Sequence, residues 1–339
     1  MNKKRSYQPP YTITPAILRL VAEVAEAIGR LSAQGDTKKA LRLRRINRIR
    51  TIQGSLAIEG NTLSEEQITA ILDGKRVLAP PREIQEVRNA IAAYDRFEQW
   101  QPHAEKELLK AHRILMAGLL DEAGAYRHGG VGVMDSGQVI HMAPPAGRVP
   151  ALMQDLLRWL QTTDEHPLIA GSVFHYEFEF IHPFADGNGR VGRLWQTLIL
   201  TGWNQLFADI PVESLVHEHQ AEYYRALQES TDRTDSAPFI EFMLKMVLDA
   251  ASSAAAPQVA PQVTPQVERL LEVLEGEMAR EKIQNALGLQ DRKSFRERYL
   301  KPALAAGLIE MTLPGKPNSR LQKYRQTDAG RRWLKRKDV

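Results

Sequence analysis

Three prolines spaced four residues apart divide this chain of 339 residues. Residues 250–256 read Ala-Ala-Ser-Ser-Ala-Ala-Ala, and Pro-Gln-Val then recurs at positions 257, 261 and 265. Each proline removes a backbone donor and fixes φ, so neither a helix nor a sheet ladder passes through such a run. With small residues between the prolines and no large apolar anchor, residues 250–264 are expected to form an extended, semi-rigid connector. A docking motif is the other reading of the triplets; composition favours the connector. The chain length suits two or three domains.

In the body before the connector, apolar residues recur mostly at helical spacing. The pattern predicts helices over about 14–34, 37–59, 64–73, 83–99, 104–119, 149–162, 166–181, 189–203 and 215–229, with another near 237–249. Strand signals are confined to 129–145, where Gly-Val-Gly-Val-Met and Gln-Val-Ile-His-Met flank Asp135-Ser136-Gly137. That is a hairpin pattern, and a hairpin edge can pair with an extended polypeptide. The plainer alternative is a surface hairpin without function. No apolar run reaches the ~20 residues of a membrane span. The first residues lack the apolar stretch of a secretion signal, and there are no cysteines for disulfides or thiolate metal sites. A cytoplasmic protein with no membrane partner is expected.

The densest chemistry lies at residues 182–193, His-Pro-Phe-Ala-Asp-Gly-Asn-Gly-Arg-Val-Gly-Arg. Gly187 and Gly189 permit a tight turn with exposed amides. Val191, Leu194, Trp195 and Leu198 follow at helical spacing. A glycine-bracketed turn at a helix N-terminus favours anions, through unpaired N–H groups and the helix dipole. Arg190 and Arg193 can reach phosphate oxygens with forked geometry. Asp186 is a hard-oxygen ligand suited to Mg²⁺, and His182 can take a proton near neutral pH. The set suits phosphate-ester chemistry. Gly187, Gly189 and Gly192 also spell a dinucleotide fingerprint, with Asp209 downstream and the run 173–181 in the place of a preceding strand. That fingerprint needs a βαβ unit, and Thr-Gly-Trp-Asn-Gln after Leu200 offers no second strand. Glu179 and His182 form half of a di-iron carboxylate pattern whose other half is absent from the sequence.

The stretch resembles the signature of the Fic (Fido-fold) family, His-x-Phe-x-(Asp/Glu)-Gly-Asn-Gly-Arg-x-x-Arg, and meets it at every fixed position. The resemblance implies a mostly α fold, an all-α helical domain carrying a β-hairpin flap. It also implies transfer of AMP from ATP to a Ser, Thr or Tyr hydroxyl of a target protein, or of the chain itself. In those terms His182 deprotonates the hydroxyl, Asp186 holds Mg²⁺, and Phe184 anchors the loop. Gly187, Asn188 and Gly189 hold the phosphates, Arg190, Val191 and Gly192 complete the nucleotide set, and Arg193 holds the γ-phosphate. The hairpin becomes a target-positioning flap with Val139, Ile140, His141 and Met142 along the nucleotide. Tyr223 and Tyr224 come near the adenine; taken on their own, they read equally as core residues of their helix. A few relatives transfer other phosphate-containing groups, and Gly189 fits the adenylylating pattern.

Upstream, Ser55-Leu-Ala-Ile-Glu59-Gly60-Asn61 closes a helix, with Gly60 or Asn61 as its cap. Thr62 and Glu65 read as the capping box of the next. Glu59 stands at the negative end of the helix dipole, which costs ~0.3–1 kcal/mol unless offset. The segment matches the inhibitory motif of the same family, (Ser/Thr)-x-x-x-Glu-(Gly/Asn). The resemblance implies that Glu59, with Ser55, pairs with Arg193 and keeps it from the γ-phosphate. The protein would then restrain itself; in some relatives the same glutamate also serves removal of AMP. The expected division is an N-terminal helical region with the inhibitory helix (1–100), a catalytic core (101–249), the connector (250–264) and a tail (265–339).

In the tail, periodicity predicts helices over 267–274, 280–287 and 294–304. The third turns Phe295, Tyr299 and Leu300 inward and Arg292, Lys293, Arg296, Arg298 and Lys301 mostly outward. Two strands, 307–313 and 320–325, flank a turn from Pro314 to Asn318. Three helices and a β wing resemble a winged helix-turn-helix, a small α+β module often attached to Fic domains. Residues 257–339 carry 17 Lys and Arg against 10 Asp and Glu, a net of +7, whereas residues 1–256 carry 28 against 31. A basic third helix and wing form the electrostatic footprint of DNA binding. Protein docking and homodimer formation are the module's other uses. The rival to an enzyme is therefore a DNA-binding regulator with a nucleotide-sensing Fic domain.

Overall fold

The structure, a computed structural model, describes residues 7–33, 37–135, 138–255, 264–313, 319, 321–327, 330–331 and 333–334, and gives the backbone alone for residues 37–43, 132–141, 255 and 305. The chain divides into two compact units, Met1–Ala255 and Ala256–Val339. Among the described residues, no helix is long and apolar enough to cross a membrane.

The first unit is helical apart from one hairpin. Its elements are α1 (Pro15–Ser32), α2 (Thr37–Ile58), α3 (Glu65–Leu72), α4 (Pro81–Tyr94), α5 (Glu105–Leu115), β1 (Gly132–Asp135), β2 (Gln138–Met142), α6 (Val149–Thr162), α7 (Pro167–Ile181), α8 (Asn188–Trp203), α9 (Val212–Glu218), α10 (Gln220–Arg233) and α11 (Ala237–Ala255). The run 173–181, strand-like by composition, belongs to α7. Helices α7 and α8 are buried on nearly every face, with Phe174, Phe178, Val191, Leu194 and Trp195 fully enclosed. Helices enclosed on all sides stand at the centre of a bundle, and the turn joining these two carries the signature.

Three expectations need correction here. The capping box expected of Thr62 and Glu65 is formed instead by Ser64 and Gln67, because α3 starts at Glu65. The single helix expected over 215–229 is two helices, broken where His219 leaves helical geometry (φ −109, ψ 31). Its N–H still bonds to Leu215 O, while its own carbonyl accepts from Glu222 and Tyr223. The connector was expected from residue 250, yet α11 continues to Ala255. Alanine is the best helix former, and Ala250 and Ala251 are buried in the bundle. The triplets at 257 and 261 lie outside the described residues.

Helix α2 is fastened along its length. Ile49, Ile52, Leu56 and Ile58 are buried, and a β-carbon at Gly54 would stand 2.6 Å from Ser214 N. On the outer face, Arg44 pairs with Asp209 at 3.0 Å, Arg45 with Asp73, Arg48 with Asp95 and Arg50 with Glu65 at 3.6 Å. At its end, Gln220 Nε2 donates to Ile58 O at 2.9 Å.

The second unit is α+β, with α12 (Pro265–Val273), β3 (Met278–Ala279), α13 (Arg280–Ala286), α14 (Arg292–Phe295), a π-helical turn (Arg296–Leu300), α15 (Lys301–Ala305), β4 (Ile309–Met311) and β5 (Lys323–Gln326). Thr264 caps α12 and Pro265 opens it, a placement where its missing N–H costs nothing. The third helix follows one helical path through the π turn, and Phe295, Tyr299 and Leu300 are buried as expected. The antiparallel sheet has the order β3-β5-β4. Sequence reading found two of its strands; β3, with only two residues, is too short for any periodicity to register. Residues 314–318, the expected turn, lie outside the described residues.

Candidate active site

The turn after α7 is built from its own backbone outward. His182 ends α7 in the left-handed conformation (φ 49, ψ 62), and Pro183 follows it. Asn188 then closes the loop on itself: its Nδ2 donates to Phe184 O at 2.9 Å, and its Oδ1 accepts from Phe184 N at 2.9 Å. Phe184 is fully buried and stacks on the His112 ring with centroids 3.7 Å apart. His112 Nδ1 accepts from Gly124 N at 2.8 Å, which leaves Nε2 to carry the proton and donate to Asp186 O at 2.9 Å. Burial pushes His112 down to about 4, so it stays neutral. Gly187 opens α8 at φ 84 with no side-chain cap, leaving the first amides of the helix without a capping side chain.

Charge converges on this turn. Asp186 Oδ1 accepts from Gly187 N at 2.6 Å and Arg190 Nη2 at 3.0 Å, and Arg82 Nη2 lies 3.4 Å from Oδ2. Arg190 is buried, with Nη1 3.6 Å from Glu86 Oε1. Its Nε and Nη1 have no hydrogen-bond partner. Arg193, also buried, donates from Nη2 to Glu59 Oε1 at 2.6 Å and to Ser55 O at 3.0 Å, and from Nε to Ser55 Oγ at 3.2 Å. Burial works to lower Arg193, but the Glu59 carboxylate overcomes this and holds it above its ordinary value.

His182 faces the acid one turn back. Its Nδ1 lies 4.0 Å from Glu179 Oε2, while Glu179 Oε1 lies 3.7 Å from His175 Nε2. Burial pushes Glu179 up to about 7, with Arg193 opposing the rise and Glu59 adding to it. Burial pushes His175 down to about 3. As a neutral ring it bridges Gln196 Oε1 at 2.6 Å and Tyr223 OH at 3.2 Å.

The structure thus brings His182, Asp186, Gly187, Asn188, Gly189, Arg190 and Arg193 together with Ser55 and Glu59. Other expected residues stand elsewhere. Val191 has its side chain in the core, and Gly192 faces α7, where a β-carbon would stand 2.9 Å from Glu179 Oε1. Tyr223 is a core residue, 2% exposed and ringed by Phe239 and Phe242. Tyr224 is half-buried, its hydroxyl accepting from Gln220 Nε2 at 3.4 Å. Met142 is exposed, and the side chains of Val139, Ile140 and His141 lie outside the described residues. Sequence reading missed His112 and Glu179's nearness to both histidines. It also missed Arg127, whose buried guanidinium donates to four carbonyls around His182 and the hairpin. The only sequence trace of His112 is a polar residue on the apolar face of α5, beside Leu108, Ala111 and Leu115.

Residues 102–200 match the Fic/DOC family, and residues 265–327 match a domain described as the C-terminal domain of Fic-like proteins (filamentation induced by cAMP). A crystal structure of a Fic family protein from Desulfovibrio desulfuricans G20 is 55% identical, covers 95% of this chain and 99% of its own, and superposes with a TM-score of 0.72. This chain belongs to the Fic family. Protein adenylyltransferase Fic of Aedes aegypti is 31% identical to it over 228 residues, 63% of this chain and 43% of that protein. Its counterpart in Drosophila persimilis is 28% identical over 256 residues, 71% and 47%. This Fic chain therefore spans less than half the length of these curated relatives. Its Fic/DOC segment contains His112, Arg127 and the whole of the signature, but Glu59 comes from the turn directly after α2, outside it.

Proposed function

We propose that this Fic protein is a protein adenylyltransferase, moving AMP from ATP to a Ser, Thr or Tyr hydroxyl of a target protein or of itself, under restraint by Glu59. The observation that carries the reading is Arg193, a buried cation on α8 whose guanidinium is held by Glu59 Oε1 at 2.6 Å. His182 takes the proton of the hydroxyl as its oxygen bonds to the α-phosphorus, and the bond to pyrophosphate breaks. The open amides of α8 and the unsatisfied donors of Arg190 suit phosphate oxygens. Arg193 suits the terminal phosphate once Glu59 lets go.

Asp186 fits Mg²⁺ as its single protein carboxylate. Among the described residues no group of three or more His, Asp or Glu could hold a metal alone, and Mg²⁺ characteristically completes its shell with water and substrate phosphates. It would supply charge neutralisation of the phosphates there. Labelling with ATP carrying a radioactive α-phosphate tests the reading. Glu59→Gly is expected to raise incorporation, and His182→Ala in that background to abolish it. Equal labelling of wild type and Glu59→Gly would remove the restraint, and persistent labelling without His182 would remove the base.

For the C-terminal unit we propose a winged-helix role with duplex DNA as partner. What favours it is that Arg292, Lys293, Arg296, Arg298 and Lys301 are all exposed while the apolar face of the same helical path is buried. Retention of random-sequence duplex by the full chain should fall steeply with salt, and Lys293→Glu with Arg298→Glu should flatten that slope. Absence of retention would exclude DNA, and retention indifferent to salt or to the double substitution would exclude this basic helix as its contact.

A further inference from the structure

We propose that Arg127 is a positioning residue that ties both feet of the β1–β2 hairpin to the backbone of His182, so that flap and catalytic base move as one body. The inference deepens the adenylyl-transfer reading and rests on it. Arg127 is 4% exposed. Its Nε donates to His182 O at 2.7 Å and its Nη1 to Gly129 O at 2.8 Å. Its Nη2 is shared between Pro144 O at 2.5 Å and Ile181 O at 3.3 Å, and its backbone N donates to Pro183 O at 3.0 Å. Gly129 lies just before β1 and Pro144 just after β2, so one guanidinium holds the hairpin where it enters and where it leaves. Ile181 and His182 supply carbonyls at the C-terminal end of α7, where the helix dipole is negative and favours a cation.

All four acceptors of the guanidinium are carbonyls. A guanidinium suits the position because its planar fork sends donors to several fixed points at once, which a compact ammonium does not. Next to its feet the hairpin pairs Gly132 with Met142 and Val133 with His141, and a bulge between Val133 and Met134 shifts the register toward the tip. Fixing its feet therefore fixes the distance between its strands and the base. A target segment paired along that edge meets His182 at a set position.

The phosphate turn has separate supports, the Asn188–Phe184 pair and the His112–Asp186 bond. Loss of Arg127 should therefore uncouple the hairpin without dismantling the turn. This separates positioning from a general structural role.

The test uses the full chain carrying Glu59→Gly, with and without Arg127→Lys. Amide exchange over residues 130–143 is expected to rise about tenfold or more, as for a locally opened segment, while exchange in α8 stays as it was. Magnesium-ATP affinity by calorimetry should change less than about twofold, well inside the tenfold that 1.4 kcal/mol represents, and self-labelling at saturating ATP should slow. Unchanged hairpin exchange, or a rise spread equally over α7 and α8, would overturn the proposal. If Arg127→Lys does not fold, Arg127→Ala with added ethylguanidinium replaces it: hairpin protection that returns with the additive supports the tie, and protection that does not return overturns it. Failure of the transferase reading looks different, since Glu59→Gly with Arg127 intact would not label while the hairpin would still answer to Arg127→Lys.

Discussion

A β-carbon on Gly189 would fall on Oε1 of Glu59 and 2.8 Å from Nη1 of Arg193. The second glycine of the signature turn thus leaves the space in which the Glu59–Arg193 pair closes. Neither the ion pair nor an undisturbed Arg193 fits beside a larger residue.

Gly189→Ala and Glu59→Gly are therefore expected to part company. Both remove the ion pair, but alanine also displaces the guanidinium that the proposed function assigns to phosphate. Gly189→Ala should lower thermal stability with no gain in labelling, where Glu59→Gly gains. A gain with Gly189→Ala comparable to that of Glu59→Gly would show that Arg193 tolerates the displacement.

Glu179 should impose a pH dependence on stability. Its folded-state pKa of about 7 lies above its ordinary value of 4.5 because it is buried. Between those values the folded chain keeps a proton that the unfolded chain has lost. Stability therefore falls as pH rises through that window and levels off above it, by about 3 kcal/mol in all. Glu179→Gln should gain on wild type by that order between pH 5 and 7.5 in urea denaturation. His112 and His175, held below the ordinary histidine value, act with the opposite sign in both proteins and cancel in the difference. A difference that does not change with pH would place the Glu179 carboxyl in water.

His112→Phe keeps the ring stack on Phe184 but removes an acceptor from Gly124 N and a donor from Asp186 O. A buried backbone amide and a part-buried carbonyl lose their partners, at about 1–3 kcal/mol for a fully buried group and less for the other. With one of the two only part-buried, denaturation should show a loss of about 1–4 kcal/mol despite the conserved volume, and nucleotide affinity should drop as the turn loosens. A neutral substitution would mean that water replaces the imidazole.

Residues 182–193 were legible because their chemistry is contiguous: glycine spacing reports the turn and the residues after it report the helix. The bundle was legible because its amphipathic and buried helices repeat at their own period. Glu59 was a different matter. Nothing in its local sequence points at Arg193, since the contact joins the turn after α2 to α8 across the fold, and only likeness to a family motif linked them. His112 and Arg127 carried no such likeness. Each is a lone polar residue bonded to backbone carbonyls and amides, and carbonyls have no sequence identity to match. Tyr223, by contrast, followed its bland reading as a core residue.

The fastening of α2 has a consequence for timing. A helix held by buried isoleucines, a glycine laid on backbone and four separate ion pairs opens only by local unfolding, which takes microseconds to seconds. The Glu59 side chain is 30% exposed, and partly exposed rotamers exchange in picoseconds to nanoseconds. Release by a side-chain swing is thus faster by several orders of magnitude than any turnover at ordinary enzyme rates. The restraint proposed for Glu59 would then govern the fraction of molecules that are active at any instant, and add no lag to their response.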